Sequence, residues 1–180
     1  MTTTLTSTIR AQLGWTWRDR VGGFVIADGS QLQFNRDLAD GPGANQAQAV
    51  WRAADQSLAS GQAMLLCLGA LEEPMFGDTI TIPLMRIKAI LIVNKNTSGD
   101  GHLVVGAAGT DEWFAPFGMV GDTLKVMPAS PLLLANVRDG WDVELGSEML
   151  KIEAAGGDVL FDVAILGTTS AQQPDSSSGA

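Results

Sequence analysis

The chain is poor in the residues that usually carry chemistry. Its 180 residues include one histidine, one cysteine and no tyrosine. A single cysteine excludes an internal disulfide. Cys67 lies in the apolar run Met64-Leu65-Leu66-Cys67-Leu68, where a thiol reads as a small buried hydrophobe. No Walker loop, G-x-S-x-G elbow, C-x-x-C pair or H-E-x-x-H spacing occurs, so the common catalytic and metal motifs are missing. Positive charge is scarce as well: 11 Lys and Arg against 20 Asp and Glu leave a net charge of −9. That balance supplies no basic stripe for phosphate contacts and argues against a nucleic-acid partner. The longest apolar runs, 64–71 and 89–93, are too short to span a membrane. The start has no basic segment followed by a continuous apolar stretch, so no signal peptide is expected. The expectation is a soluble, non-enzymatic protein made in a cytoplasm, with no cofactor, no metal, no nucleic-acid partner and no membrane insertion.

What is present is a succession of strand patterns. Leu5, Ile9, Ala11, Leu13, Trp15 and Trp17 share one parity, while Thr6, Thr8, Arg10, Gln12, Thr16 and Arg18 take the other, the period of a half-buried strand. Gly22-Gly23 breaks it, Phe24-Val25-Ile26 reads as a short second strand, and Asp28-Gly29 reads as a turn before Leu32 and Phe34. Residues 1–36 are thus an N-terminal β arm, and 37–45, with Asp40-Gly41-Pro42-Gly43, a linker. Residues 46–60 are ambiguous. Ala47, Val50, Trp51, Ala54 and Leu58 form a helical stripe, yet Ala47, Ala49, Trp51 and Ala53 share a strand face, and the Ala/Gln content favours helix. Beyond Gly61, strands are expected at 62–68, 80–94, 102–107, 123–126, 132–136, 141–145, 149–154 and 159–166, separated by Gly and Asp turns. The fold class is therefore all-β: an antiparallel sandwich or jelly-roll-like body over 46–168, with the arm before it and a flexible, Ser-rich tail over 169–180.

Candidate sites are few. His102, with Ser98, Asp100 and Asp111 nearby in sequence, follows a glycine turn and reads as solvated rather than catalytic. Asn94, Asn96, Ser98 and Asp100 mimic part of a calcium loop, but Val105 stands where the bidentate Glu belongs. Glu72, Glu73, Asp111 and Glu112 read as loop charges. Trp113, Phe114 and Phe117 offer either an exposed aromatic platform or the plug of a sandwich core. Leu5, Ile9, Leu13, Trp15 and Trp17 form an apolar face with no obvious local partner, and such a face must be covered. These eight residues are the candidate interaction set, and the apolar arm predicts self-association as a trimer or ring.

The sequences Phe76-Gly77-x-Thr79-Ile80, Arg86-Ile87-Lys88-Ala89-Ile90-Leu91-Ile92-Val93-Asn94 and Leu103-Val104-Val105-Gly106-Ala107-Ala108 resemble small β-rich virion proteins of tailed bacteriophages and prophages. Ala115-Pro116-Phe117-Gly118, Gly140-Trp141-Asp142-Val143, Leu150-Lys151-Ile152 and Phe161-Asp162-Val163-Ala164-Ile165-Leu166-Gly167 continue the likeness, which covers about 47–168. Pro83 and Pro131 at strand starts, and Phe161 where a tyrosine is expected, depart from it. The resemblance favours a strand over 46–60. It implies a structural subunit of the virion, in a capsid-decoration, head-fibre or tail-associated role, whose partners are other virion proteins. A carbohydrate- or receptor-binding module meeting host glycans through the aromatic patch is the alternative.

Overall fold

The computed structural model describes residues 4–21, 23–75 and 78–169. The expected tail beyond Thr169, together with Phe76-Gly77 of the resemblance, lies outside the described residues. The described chain contains no α-helix. Its elements are β1 (Ser7–Val21), β2 (Phe24–Leu38), β3 (Ala49–Leu58), β4 (Ala63–Cys67), a 3₁₀ turn (Leu68–Ala70), β5 (Leu71–Met75), β6 (Asp78–Ile82), β7 (Arg86–Asn94), β8 (His102–Gly106), β9 (Thr123–Val126), β10 (Pro131–Ala135), β11 (Trp141–Asp142), β12 (Met149–Ala155) and β13 (Val159–Thr168).

Two antiparallel sheets make the body. One has the order β10-β7-β13-β3, with β11 also beside β7, and the other the order β4-β12-β8-β9. Alternation along the central strands explains the layering. In β12, Leu150, Ile152 and Ala154 are buried, while Lys151 and Glu153 point outward and pair at 2.9 Å. In β13, Val159, Phe161, Val163 and Ile165 face inward to meet Ile90 and Ile92 of β7. Each fully buried side chain of this size contributes about 1.5–3 kcal/mol.

Residues 46–60 resolve as strand: β3 pairs with β13 from Leu58 opposite Val159 to Ala49 opposite Gly167. Sheet pairing and the burial of Trp51 override the helical propensity of the Ala/Gln composition. Two expectations need correction. The stretch 80–94 is two strands, because Pro83 separates β6 from β7. Glu72 and Glu73 lie in β5, which pairs with β6 as a separate two-stranded ribbon, rather than in a loop.

A bulge in β7 sets up the outer face of the larger sheet. Leu166 pairs with Ala89 and Gly167 with Ile87, so Lys88 is skipped. Ile87 and Ile90 belong to the inner core, whereas Ala89 packs outside with Leu133 and Leu166. Gly167 permits the bulge, since a Cβ there would collide with the carbonyl oxygen of Arg86.

Candidate interaction surface

β1 and β2 form one ribbon in unbroken antiparallel register, from Ser7 opposite Leu38 to Val21 opposite Phe24. The Asp28-Gly29 turn expected from sequence is absent. These residues sit mid-strand, opposite Trp17 and Thr16, and the reversal falls at Gly23, whose φ of +92° suits glycine. Gly22 lies outside the described residues. β2 also continues through Leu38 into the expected linker. At about 3.4 Å per residue, a fifteen-residue strand spans about 50 Å.

Directly opposed residues share a face, so the register sorts the side chains. One face carries Ala11 opposite Phe34, Leu13 opposite Leu32, and Val21 opposite Phe24, with Trp15, Trp17 and Ile26 between them, opposite Ser30, Asp28 and Asp19 respectively. The other is mostly polar. There Thr8 Oγ1 donates to Asp37 Oδ1 at 2.7 Å, Arg10 Nε to Asn35 Oδ1 at 3.3 Å, and Gln12 Nε2 to Gln31 Oε1 at 2.7 Å. Every described residue from 10 to 37 is solvent-exposed, including Trp15 at 46%, Trp17 at 54% and Phe24 at 77%. The half-buried strand expected from alternation is therefore amphipathic yet uncovered over most of its length.

Only the root is anchored. Ile9 and Leu38, both on the apolar face, are buried with Ala47 and Ala89, and Leu5, Leu133, Val137 and Leu166 pack around them. The loop that follows is tied down. Lys88, wholly buried, donates from Nζ to the carbonyls of Arg138 at 2.7 Å and Gly43 at 3.2 Å. Burial holds its ammonium below the usual lysine range, with the Arg86 charge acting in the same direction and Asp139 opposing. Asn45 N donates to Arg138 O at 3.2 Å, and Leu5 N to Asp40 Oδ1 at 3.0 Å. Residues 39–46 are thus a stitched joint. Beside it a groove of about 540 Å³ opens between the root (Ser7, Ile9, Arg10) and the sheet residues Val50 and Leu91, both exposed, and half-buried Ala164. Ser7 Oγ is enclosed there without a hydrogen-bond partner.

The structure divides the eight candidate residues. Leu13, Trp15 and Trp17 are exposed on one face of the ribbon, Ile9 is buried at its root, and Leu5 is half-buried beside it. Trp113 is 1% exposed and serves as the core plug, the second of the two readings the sequence offers, so it leaves the interaction set. Its ring meets Phe117 and Trp141 edge-to-face, each at 6.3 Å, and its Nε1 donates to Asp142 O at 2.8 Å. Phe117 packs on the same core, and Phe114 is half-buried. The loop holding Trp113 is stapled by buried Glu112, which accepts from Ala107 N at 3.0 Å and Gly121 N at 2.9 Å. Sequence reasoning missed the β2 half of the apolar face. Phe24, Ile26, Leu32 and Phe34 share one parity, and that parity was the available signal.

The polar candidates serve local structure. Asn94 Nδ2 donates to the carbonyls of Gly101 and Val126, Asn96 Nδ2 donates to Asp158 O, and His102 Nδ1 shares a hydrogen bond with Asp100 O at 2.9 Å. Cys67 is half-buried, its thiol pushed up by burial and by Glu148. Among the described residues, no three His, Cys, Asp or Glu side chains gather in a way that could hold a metal. No family model matches the chain, and no curated protein does.

Proposed function

We propose that this chain is a non-enzymatic structural subunit of a tailed-bacteriophage particle, bound to other proteins through the apolar face of its N-terminal ribbon. The observation that carries the proposal is that face, exposed from Ala11 to the turn and back to Phe34. An isolated two-stranded ribbon is marginal in water, and soluble monomers rarely leave an apolar strip of this length bare. Cover by protein answers both problems. The virion setting rests on the resemblance over 47–168 and places the subunit on a capsid or tail surface after synthesis in the bacterial cytoplasm. Packaged DNA is a poor partner for a chain of net charge −9.

The test is a mass-spectrometric inventory of purified particles, followed by salt titration of subunit release. The chain is expected in the particle, with release changing only a few-fold between low and moderate salt. A contact to six to ten phosphates would instead weaken by roughly 10³–10⁵ over that range. Absence from particles, or release that steep, overturns the proposal.

One feature favours a glycan-binding reading. A cleft of about 330 Å³ is lined by Phe114 and Trp141 together with Asp142, Glu144 and Ser147, a mixture of apolar wall and a few polar groups that suits a sugar ring. Saturable binding to host-surface glycans that is lost in Phe114→Ala with the body's melting temperature unchanged would establish this second reading.

A further inference from the structure

We infer that the ribbon's apolar face is covered by the same face of a second copy, the two ribbons lying antiparallel about a two-fold axis. The inference rests on the reading of the ribbon as the contact element and names its occupant as a second copy, so that the chain joins the particle as a dimer. Three observations fix the occupant and its direction.

The first is steric. Ile9 and Leu38 lie on the apolar face and are buried against the body through Ala47 and Ala89, so the body occupies the apolar side at the root. A neighbour aligned in parallel would have to place its own root in that space. A neighbour running the other way places its root beyond the tip and meets only exposed ribbon.

The second is charge. The ribbon holds four arginines (Arg10, Arg18, Arg20, Arg36) and three aspartates (Asp19, Asp28, Asp37), 4 − 3 = +1, leaving 7 − 17 = −10 on the remainder of the chain. Asp19, Asp28 and Arg36 share the apolar face while Arg10, Arg18 and Arg20 back it from the polar one, so two copies meet with less repulsion along their ribbons than along their acidic bodies. The antiparallel arrangement also sends the acidic bodies to opposite ends.

The third is complementarity. With Trp15 of one copy over Trp17 of the other, the register sets Ile26 over Leu32, Phe24 over Phe34, Ala11 over Val21, and Asp28 over Ser30, a hydroxyl able to donate to that carboxylate. Leu13 meets Asp19, which lies on β1, whose outer edge is unpaired among the described residues and open to water. The partner's tip then arrives at the groove between root and sheet, where Val50 and Leu91 are exposed. The overhanging face, about 40 Å long and roughly 12 Å wide, hides about 500 Å² per copy, or about 1,000 Å² in the pair, the lower limit for a biological interface, to which the tip's contact with the groove adds. Such a contact is isologous and closes on itself. The trimer or ring expected from the apolar face alone gives way to a dimer.

The experiment uses the full chain in a Cys67→Ser background. Light scattering gives the mass of the parent, of Trp15→Asp on the apolar face, and of Gln33→Glu on the polar face. Ala11→Cys and Val21→Cys chains are then treated with a short bismaleimide, separately and mixed. The expected results are a dimer for the parent and Gln33→Glu, at least a tenfold weaker dimer for Trp15→Asp with an unchanged body melting curve, and crosslinks only in the mixture. A monomeric parent at tens of micromolar, a trimer or larger ring, Val21→Cys chains crosslinking among themselves, or Gln33→Glu dissociating as readily as Trp15→Asp overturns the inference. A monomeric parent that still loses particle incorporation on Trp15→Asp refutes this pairing alone and leaves the contact reading intact.

Discussion

Trp113 and Trp15 were candidates of the same kind in the sequence, and the structure gives them opposite roles, so the same substitution at each must give opposite results. Truncating a fully buried tryptophan to alanine costs about 3–5 kcal/mol. At Trp113 the two edge-to-face pairs with Phe117 and Trp141 add about 0.5–1.5 kcal/mol each. Loss of the bond to the Asp142 carbonyl adds about 1 kcal/mol. The total, about 5–9 kcal/mol, matches the whole stability of many small domains, so Trp113→Ala is expected to unfold the body. Trp113→Phe, which keeps one ring in the plug and loses the indole donor, is expected to cost about 1.5–3 kcal/mol. Trp15→Ala on the exposed face is expected to change body stability by no more than about 0.5 kcal/mol. Urea denaturation followed by far-ultraviolet circular dichroism reads all three without relying on tryptophan emission. If Trp113→Phe moves stability by less than about 0.5 kcal/mol, or Trp15→Ala moves it more than Trp113→Phe does, the division into plug and contact residue is wrong.

Three further outcomes are expected. Lys88 has its pKa lowered by burial, so between that value and 10.5 the unfolded chain binds more protons than the native one and stability rises with pH. Lys88→Met should remove this rise, read as the difference between the two chains' urea midpoints at about pH 8 and about pH 10, a subtraction that cancels the Cys67 titration; an unchanged slope would mean that Lys88 is not desolvated. Ser7→Ala deletes the enclosed, unpartnered hydroxyl and should be neutral or stabilising by up to about 1 kcal/mol in thermal melts, and a loss of more than that would reveal a partner for Ser7. Gly167→Ala drives a Cβ into the Arg86 carbonyl and should destabilise by about 2–4 kcal/mol, whereas a neutral result would show that the β7 bulge can relax.

The legible part of this fold is the part where one face is buried and the other wet. In β12 and β13, Leu150, Ile152 and Ala154, then Phe161, Val163 and Ile165, alternate with polar or smaller neighbours, and the strands lie close to where the period-two pattern puts them. β3 was ambiguous because alanine, glutamine and a lone tryptophan satisfy both periods, and only pairing with β13 breaks the tie. The ribbon misled for a different reason. Asp28-Gly29 has the local chemistry of a turn, but the turn at Gly23 fixes a register that leaves both residues extended opposite Trp17 and Thr16. The β1 half of the surface was visible as Leu13, Trp15 and Trp17. The β2 half depended on where the chain reverses, which parity alone does not specify. The burial of Trp113 depended on Glu112 folding its loop back through Ala107 and Gly121, contacts that no spacing encodes.

The central claim is that protein covers the apolar face of the ribbon when the chain is at work. Its most direct test is the copy number per particle of the full-length chain carrying Leu13→Asp and Trp17→Asp together, quantified by mass spectrometry against the unmodified chain, with thermal melts confirming that the body is intact. The account predicts at least a tenfold loss of incorporated copies with the body's melting temperature unchanged. Incorporation at the unmodified level with a charged ribbon face would contradict it.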